Sequence, residues 1–176
     1  MLNFQYNLKE LIETLEEHGE TDEFIRDTFR FNLLADENFG VEEVLFDAHI
    51  SRESKLKFLS ETITSHIGSS FNAFLEQLIQ NDDIVFYQLI ISKFLNLLEK
   101  EKDCLFVELT SAEPLNRANL DRIKHTLEHL TRNSLYLYNS TSKKVVGGFL
   151  IKIGERVLDL TLQNDLEKLK FKLKAS

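Results

Sequence analysis

The segment His125-Thr126-Leu127-Glu128-His129 has the spacing in this chain that most resembles a catalytic motif. Two histidines four residues apart on a helix can share a metal ion, and the glutamate can activate a bound water, as in the H-x-x-E-H zinc peptidases. Only 47 residues follow the segment, which leaves little room for a third ligand and a cleft. Both histidines also fall opposite a predicted apolar helix face, formed by Leu120, Ile123, Leu127 and Leu130. We therefore expect solvent-exposed histidines and no bound metal.

The other reactive residue types form no catalytic set. Cys104 is the single cysteine, and no base is placed beside it by the pattern, so we expect a small buried residue at a domain junction. Gly147-Gly148 lies inside a predicted strand and does not open a helix, which indicates a bulge or a close backbone approach and no phosphate loop. The sequence thus predicts no catalytic residue and no cofactor.

Charge is divided unevenly along the 176 residues, whose total is −8. Residues 1–104 carry 9 basic and 21 acidic side chains, a net of −12, while residues 105–176 carry 12 and 8, a net of +4. Such a split favours two modules with different partners. The acidic module would repel phosphates, so we expect no nucleic-acid partner.

Membrane insertion and export are not expected from the pattern. The most apolar stretch, Ile84 to Leu98, is interrupted by polar residues that include Gln88 and Lys93. The first 25 residues hold one basic and seven acidic side chains, unlike a secretory signal or a transit peptide. With one cysteine, the chain is expected in a reducing cytoplasm.

Residues 1–104 have the apolar periodicity of successive helices. Gly19 can end the first helix, Ser51 can cap a later one that continues to Ile67, and Gly68 can break it. The pattern predicts a six-helix bundle, with apolar stripes at Phe4 to Leu15, Phe24 to Phe31, Val41 to Phe46, Leu56 to Ile67, Phe71 to Ile79 and Ile84 to Leu98.

Residues 105–176 alternate between strand and helix patterns. They predict a small α+β module of about four strands and two helices, so the whole chain is expected to be α+β. The predicted strands are Leu105 to Ser111, Ser134 to Asn139, Lys144 to Ile153 and Arg156 to Leu162, and the last helix presents Leu166, Leu169 and Leu173.

Three segments of this second module resemble the delta subunit of F-type ATP synthases, the family of the mitochondrial oligomycin-sensitivity-conferring protein. They are Leu135 to Thr141, Val145 to Gly154 with its paired glycines, and Val157 to Thr161. Weaker matches lie upstream, at Tyr6, Ile50 to Leu59, Phe74 to Asn81 and Thr110 to Leu115. The sequence departs from the family pattern at Asp83, Ser142, Leu160 and Asp165.

The resemblance implies a non-catalytic stator subunit, present in one copy, that joins the top of the catalytic head to the peripheral stalk. The amino-terminal segment of a head alpha subunit would lie between the first and fifth helices, in a groove lined by Tyr6, Leu75, Leu78 and Ile79. The second module would meet the carboxy-terminal end of the stalk b subunit. Gly147, Gly148 and Asp159 would be structural. The complex would place the chain, as a peripheral protein, on the cytoplasmic face of the cell membrane.

Two other hypotheses remain open at this point. A helical adaptor of the same lineage would use the same surfaces to serve another protein complex. A small metallohydrolase would use His125 and His129 as zinc ligands. The first is distinguished by its co-purifying proteins, and the second by stoichiometric zinc that a His125→Ala variant loses.

Overall fold

The computed structural model describes residues 7–36, 40–154 and 156–161. The chain divides into two compact units, Met1–Leu98 and Glu99–Ser176. Helices fill the first unit and a four-stranded sheet with a helix forms the second, so the predicted α+β class is confirmed. The elements are α1 (Leu8–His18), α2 (Thr21–Asp36), α3 (Val41–Val44), α4 (Arg52–Phe58), α5 (Ser69–Gln80), α6 (Tyr87–Lys102), β1 (Cys104–Ser111), α7 (Arg117–Thr131), β2 (Ser134–Thr141), β3 (Gly148–Ile153) and β4 (Arg156–Thr161).

Side-chain and glycine caps set several helix ends where the sequence predicts them. Gly19 takes a left-handed conformation (φ 70°) and its amide donates to the carbonyls of Leu15 and Glu16, which ends α1. Ser51 precedes α4, and its hydroxyl accepts a hydrogen bond from the amide of Ser54 at 3.3 Å.

The helix that begins after Ser51 is less regular than predicted. After α4 the chain forms a π-helical turn at Leu59–Ile63 and a 3₁₀ turn at Thr64–His66. The Thr64 hydroxyl donates to the Leu59 carbonyl at 3.0 Å, across the wider turn. The predicted helical segment therefore runs without a break to His66, but its second half departs from α-helical geometry because side-chain bonding here competes with the α-helical ladder.

Aromatic side chains from α2, α5 and α6 form the centre of the helical unit. The Phe24 ring lies 5.1 Å from the Phe71 ring and 5.0 Å from the Phe94 ring, measured between centroids. Tyr87 contacts Phe31 at 4.9 Å, and its hydroxyl donates to Asn32. Edge-to-face and tilted ring pairs at these distances add to the free energy that burial alone supplies, and they join the three helices.

The sheet of the second unit has the order β2-β1-β3-β4. The strands β1 and β2 are parallel and are joined through α7, while β1–β3 and β3–β4 are antiparallel. One face of the sheet packs against α7 around a buried cluster of Val107, Leu109, Leu127, Leu135 and Ile151.

Two details of this unit differ from the prediction. The strand β3 begins at Gly148 and not at Lys144, because the Val145 amide donates to the Ser142 carbonyl in a turn and Gly147 (φ 72°) lies outside the extended region. Leu130, predicted on the apolar face of α7, is 72% exposed and lies at the edge of that face, beyond the reach of the core. The predicted last helix, with Leu166, Leu169 and Leu173, lies outside the described residues.

Candidate partner-binding groove

A groove of about 280 Å³ lies between α1 and α5. Both helices pack on α2. The groove is the space left between α1 and α5 on the side away from α2. Its lining mixes apolar and uncharged polar groups with one carboxylate, from Asn7, Leu8, Glu10, Leu11, Thr14, Phe74 and Gln77. This composition suits an amphipathic helix better than a small charged substrate.

The helix α1 presents two different sides. Ile12 and Leu15 are buried in the bundle, whereas Leu8 and Leu11 are half-buried and line the groove. The side chain of Asn7 caps the helix by accepting from the amide of Glu10 at 3.4 Å. The apolar stripe of α1 is thus wider than its contact with α2 requires, and the additional apolar residues, Leu8 and Leu11, face the groove.

The amino-terminal end of α5 is held by two carboxylates, Asp27 of α2 and Glu20, which directly precedes α2. Asp27, whose side chain is 3% exposed, accepts from the amide of Gly68 at 2.7 Å and from the guanidinium of Arg30 at 3.1 Å. Arg30 also donates to the carbonyl of His66, and Ser70 donates to Glu20. A Cβ at position 68 would lie 2.9 Å from the Asp27 carboxylate, so glycine permits this approach. These bonds fix where α5 begins.

The other end of α5 is held from α4. Asp82 takes a left-handed conformation (φ 60°), and the following amide of Asp83 donates to the Leu78 carbonyl at 2.8 Å. The guanidinium of Arg52 donates to Asp82 through Nε at 2.7 Å and through Nη2. This hydrogen-bonded cation lowers the pKa of the Asp82 carboxyl from its ordinary value of 3.8.

Three of the four residues predicted to line the groove are fully buried. Leu75, Leu78 and Ile79 belong to the core of the bundle, each with an exposed fraction of 0%. Tyr6 lies outside the described residues. The groove between the first and fifth helices exists, but its α5 side is formed by Phe74 and Gln77. Direct contact of the three buried residues with a partner stays a prediction.

Helix geometry explains which flank of α5 reaches the groove. Successive residues turn by about 100°, so Gln77 lies about 60° from Phe74 on one side, whereas Leu75 lies about 100° away on the other. Leu75 and Ile79 therefore point away from α1. Leu8 and Leu11 were missed as lining residues because an apolar stripe does not reveal which members a neighbouring helix covers.

Gly148 and Asp159 make close contacts within the β3–β4 hairpin. Gly148 pairs with Thr161, and a Cβ at Gly148 would lie 2.2 Å from the Leu160 carbonyl oxygen. Asp159 accepts from the amide of Thr161 at 2.9 Å and from its hydroxyl at 2.6 Å. In these contacts Gly148 and Asp159 act on the hairpin itself.

The residues considered for chemistry do not converge. His125 and His129 are exposed on α7, while Glu128 accepts from the Leu135 amide at 3.1 Å. Among the described residues, no group of three histidine, cysteine, aspartate or glutamate side chains is arranged to hold a metal.

Burial and the charge of Glu99 raise the pKa of the Cys104 thiol. No helix in the described ranges is both long and apolar enough to cross a membrane.

Comparisons with known proteins agree with the resemblance of the motifs. A family model described as "ATP synthase delta (OSCP) subunit" matches residues 9–173. The ATP synthase subunit delta of Geotalea uraniireducens is 26% identical over 162 residues, covering 92% of this chain and 90% of that protein. The chloroplastic ATP synthase subunit delta of Trieres chinensis is 30% identical over 128 residues, covering 72% of this chain and 68% of that protein.

The fold is similar to that of a solved chain as well. A chain of the Toxoplasma gondii mitochondrial ATP synthase hexamer, determined by cryo-EM, matches with a TM-score of 0.54 at 12% identity, over 96% of each chain. At that identity the likeness supports the fold alone, while the family model spans nearly the whole sequence. The predicted resemblance is confirmed: this chain belongs to the ATP synthase delta (OSCP) subunit family.

Proposed function

We propose that this chain is the stator subunit that links the catalytic head of an F-type ATP synthase to its peripheral stalk. The observation that carries the proposal is membership of a non-catalytic subunit family over residues 9–173. A part that resists torque needs firm contact surfaces and no nucleophile, which agrees with the exposed, separated histidines of α7. We propose its place as the cytoplasmic face of the cell membrane, in one copy per complex.

The groove between α1 and α5 is the proposed binding site for the amino-terminal segment of a head alpha subunit. Its floor offers Leu8, Leu11 and Phe74 as apolar contacts for the i, i+3, i+4, i+7 anchors of a helix. Leu75, Leu78 and Ile79 then act from the core, where they hold α5 and its groove-facing flank in place. The six helices of residues 1–104 serve as one head-binding bundle.

The module of residues 105–176 is the proposed contact for the carboxy-terminal end of the stalk b subunit. Its edge strand β4 exposes apolar side chains, with Val157 58%, Leu158 51% and Leu160 48% exposed. Leu158 and Leu160 pair with Ile151 and Phe149 on the face that α7 covers only in part. Exposed apolar surface of this kind marks a protein interface.

Replacement of Leu11 by aspartate tests the groove. The half-buried position tolerates a charge in the free chain, whereas a bound helix would have to desolvate it at a cost of about 3 kcal/mol or more, a loss of at least about 100-fold in affinity. Leu78→Asp is unsuitable, because Leu78 is fully buried and its replacement would unfold the bundle. The measurement is recovery of head subunits with the tagged chain after gentle solubilisation of membranes.

The matched control is Leu89→Asp, the same change on the exposed side of α6, away from the groove. We expect head subunits with Leu89→Asp and not with Leu11→Asp, and circular dichroism should show both variants folded. Equal recovery with both variants would refute the groove assignment. If the unchanged chain is recovered only with proteins foreign to ATP synthase, the adaptor hypothesis replaces the stator.

A further inference from the structure

The two rims of the groove differ in charge. The rim formed by α1 carries a row of carboxylates from Glu10, Glu13 and Glu17, all exposed. Glu10 lines the groove itself, and helix geometry places the other two within about 60° of it along the same side. The opposite rim on α5 has the neutral side chains Ala73, Gln77 and Gln80, and the one carboxylate of α5, Glu76, accepts a hydrogen bond from Asn72 at 2.7 Å.

The basic side chain of Lys9 lies on α1 four residues before Glu13 of the acidic row. Within residues 7–36, 40–154 and 156–161, none of these three carboxylates forms an ion pair. The row spans seven residues, which corresponds to about 10 Å, or two helical turns. Carboxylates left unpaired beside an apolar floor raise the local preference for a cationic neighbour.

We infer that the groove selects an amphipathic helix that carries basic residues along one flank, facing Glu10, Glu13 and Glu17. This inference rests on the proposed function, because it defines the chemistry of the segment that the groove receives. The apolar side of that helix contacts Leu8 and Leu11. Its basic flank lies over α1 and its neutral flank over α5. The charge difference between the rims therefore favours one rotation of the bound helix about its own axis.

Neutralisation of the row tests this inference. The variant Glu10→Gln/Glu13→Gln/Glu17→Gln keeps side-chain size and removes three negative charges. The matched control, Glu42→Gln/Glu43→Gln/Glu53→Gln, removes three exposed charges away from the groove. Affinity of the full-length chain for the purified catalytic head is measured by surface plasmon resonance at about 0.05 M and about 0.5 M salt.

We expect the groove variant to bind the head about tenfold more weakly at low salt, and the difference to shrink at high salt. The control should bind like the unchanged chain. Equal weakening of both triple variants would assign the effect to net charge and overturn the inference.

The same assay with Leu11→Asp separates this inference from the proposed function. If Leu11→Asp abolishes binding while the groove variant binds normally, the charged row is refuted and the groove stands. If Leu11→Asp also binds normally, the groove is not the head-binding site, and the groove assignment and this inference both fail. If the unchanged chain itself does not bind the head, the proposed stator function fails.

Discussion

Gly148 offers a direct test of the role given to the β3–β4 hairpin. Its left-handed conformation (φ 77°) costs an alanine about 1–2 kcal/mol. A Cβ at this position would also lie 2.2 Å from the Leu160 carbonyl oxygen and 3.0 Å from the Thr161 Cα, both backbone atoms. The strand β4 would have to retreat by roughly 1 Å to restore an ordinary C···O contact of about 3.3 Å. We expect that displacement to add about 1–3 kcal/mol.

Gly154 provides the matched control in the same hairpin. It also has positive φ (56°), but a Cβ there would meet nothing within 4 Å. Gly154→Ala therefore carries the conformational cost alone, and Gly148→Ala carries that cost together with the backbone contact. The difference between the two variants isolates the close approach of the strands.

Native-state hydrogen exchange is the suitable assay, because a chain of two compact units need not unfold in one step. The amides of Leu150 and Leu158 report on the hairpin, and those of Ile25 and Phe71 report on the helical unit. We expect hairpin protection to fall by about 30-fold more in Gly148→Ala than in Gly154→Ala, with the helical amides unchanged. Equal losses in the two variants would show that the contact argument is wrong.

Three further predictions concern single contacts. Arg52→Ala should raise the pKa of Asp82 toward 3.8 in an NMR titration; since the bond depresses the folded-state pKa, its stabilisation is present above about pH 4 and is lost as the pH falls through that pKa. Asp27→Ala should destabilise the bundle by about 2–3 kcal/mol in urea, and Asp27→Asn by less, because the asparagine still accepts from the Gly68 amide. The Cys104 thiol should react with iodoacetamide more slowly in the folded chain than in urea, since burial raises its pKa; equal rates would contradict this.

Elements with local determinants were predictable from the sequence. Gly19 ends α1 through its left-handed conformation, and Ser51 caps α4 through a bond to the nearby amide of Ser54, so both signals lie within a few residues. The alternation of Leu105 to Ser111 likewise predicted β1. In each case the decisive interaction is short-range, and the residue type that makes it is visible in the sequence.

Features set by tertiary contacts were not predictable in the same way. The π-helical turn at Leu59–Ile63 depends on a side-chain bond that competes with the backbone ladder. The exposure of Leu130 depends on how far the sheet extends beneath α7. For the groove, the resemblance predicted the pair of helices that form it. Which side chains of α5 line it, Phe74 and not Leu75, depends on how α5 is oriented about its own axis.

The proposed stator role depends on the fixed position of α5. One flank of this helix belongs to the core and the other lines the groove, so any rotation of α5 would change both at once. The bonds from Asp27 at one end and from Arg52 at the other oppose such rotation without contacting the groove floor. A groove that is already formed loses little conformational entropy when a partner helix binds. The net binding free energy is therefore larger, and the complex resists load better. In the proposed role, the end contacts of α5 therefore contribute to partner binding by keeping the groove in shape, although they lie outside it.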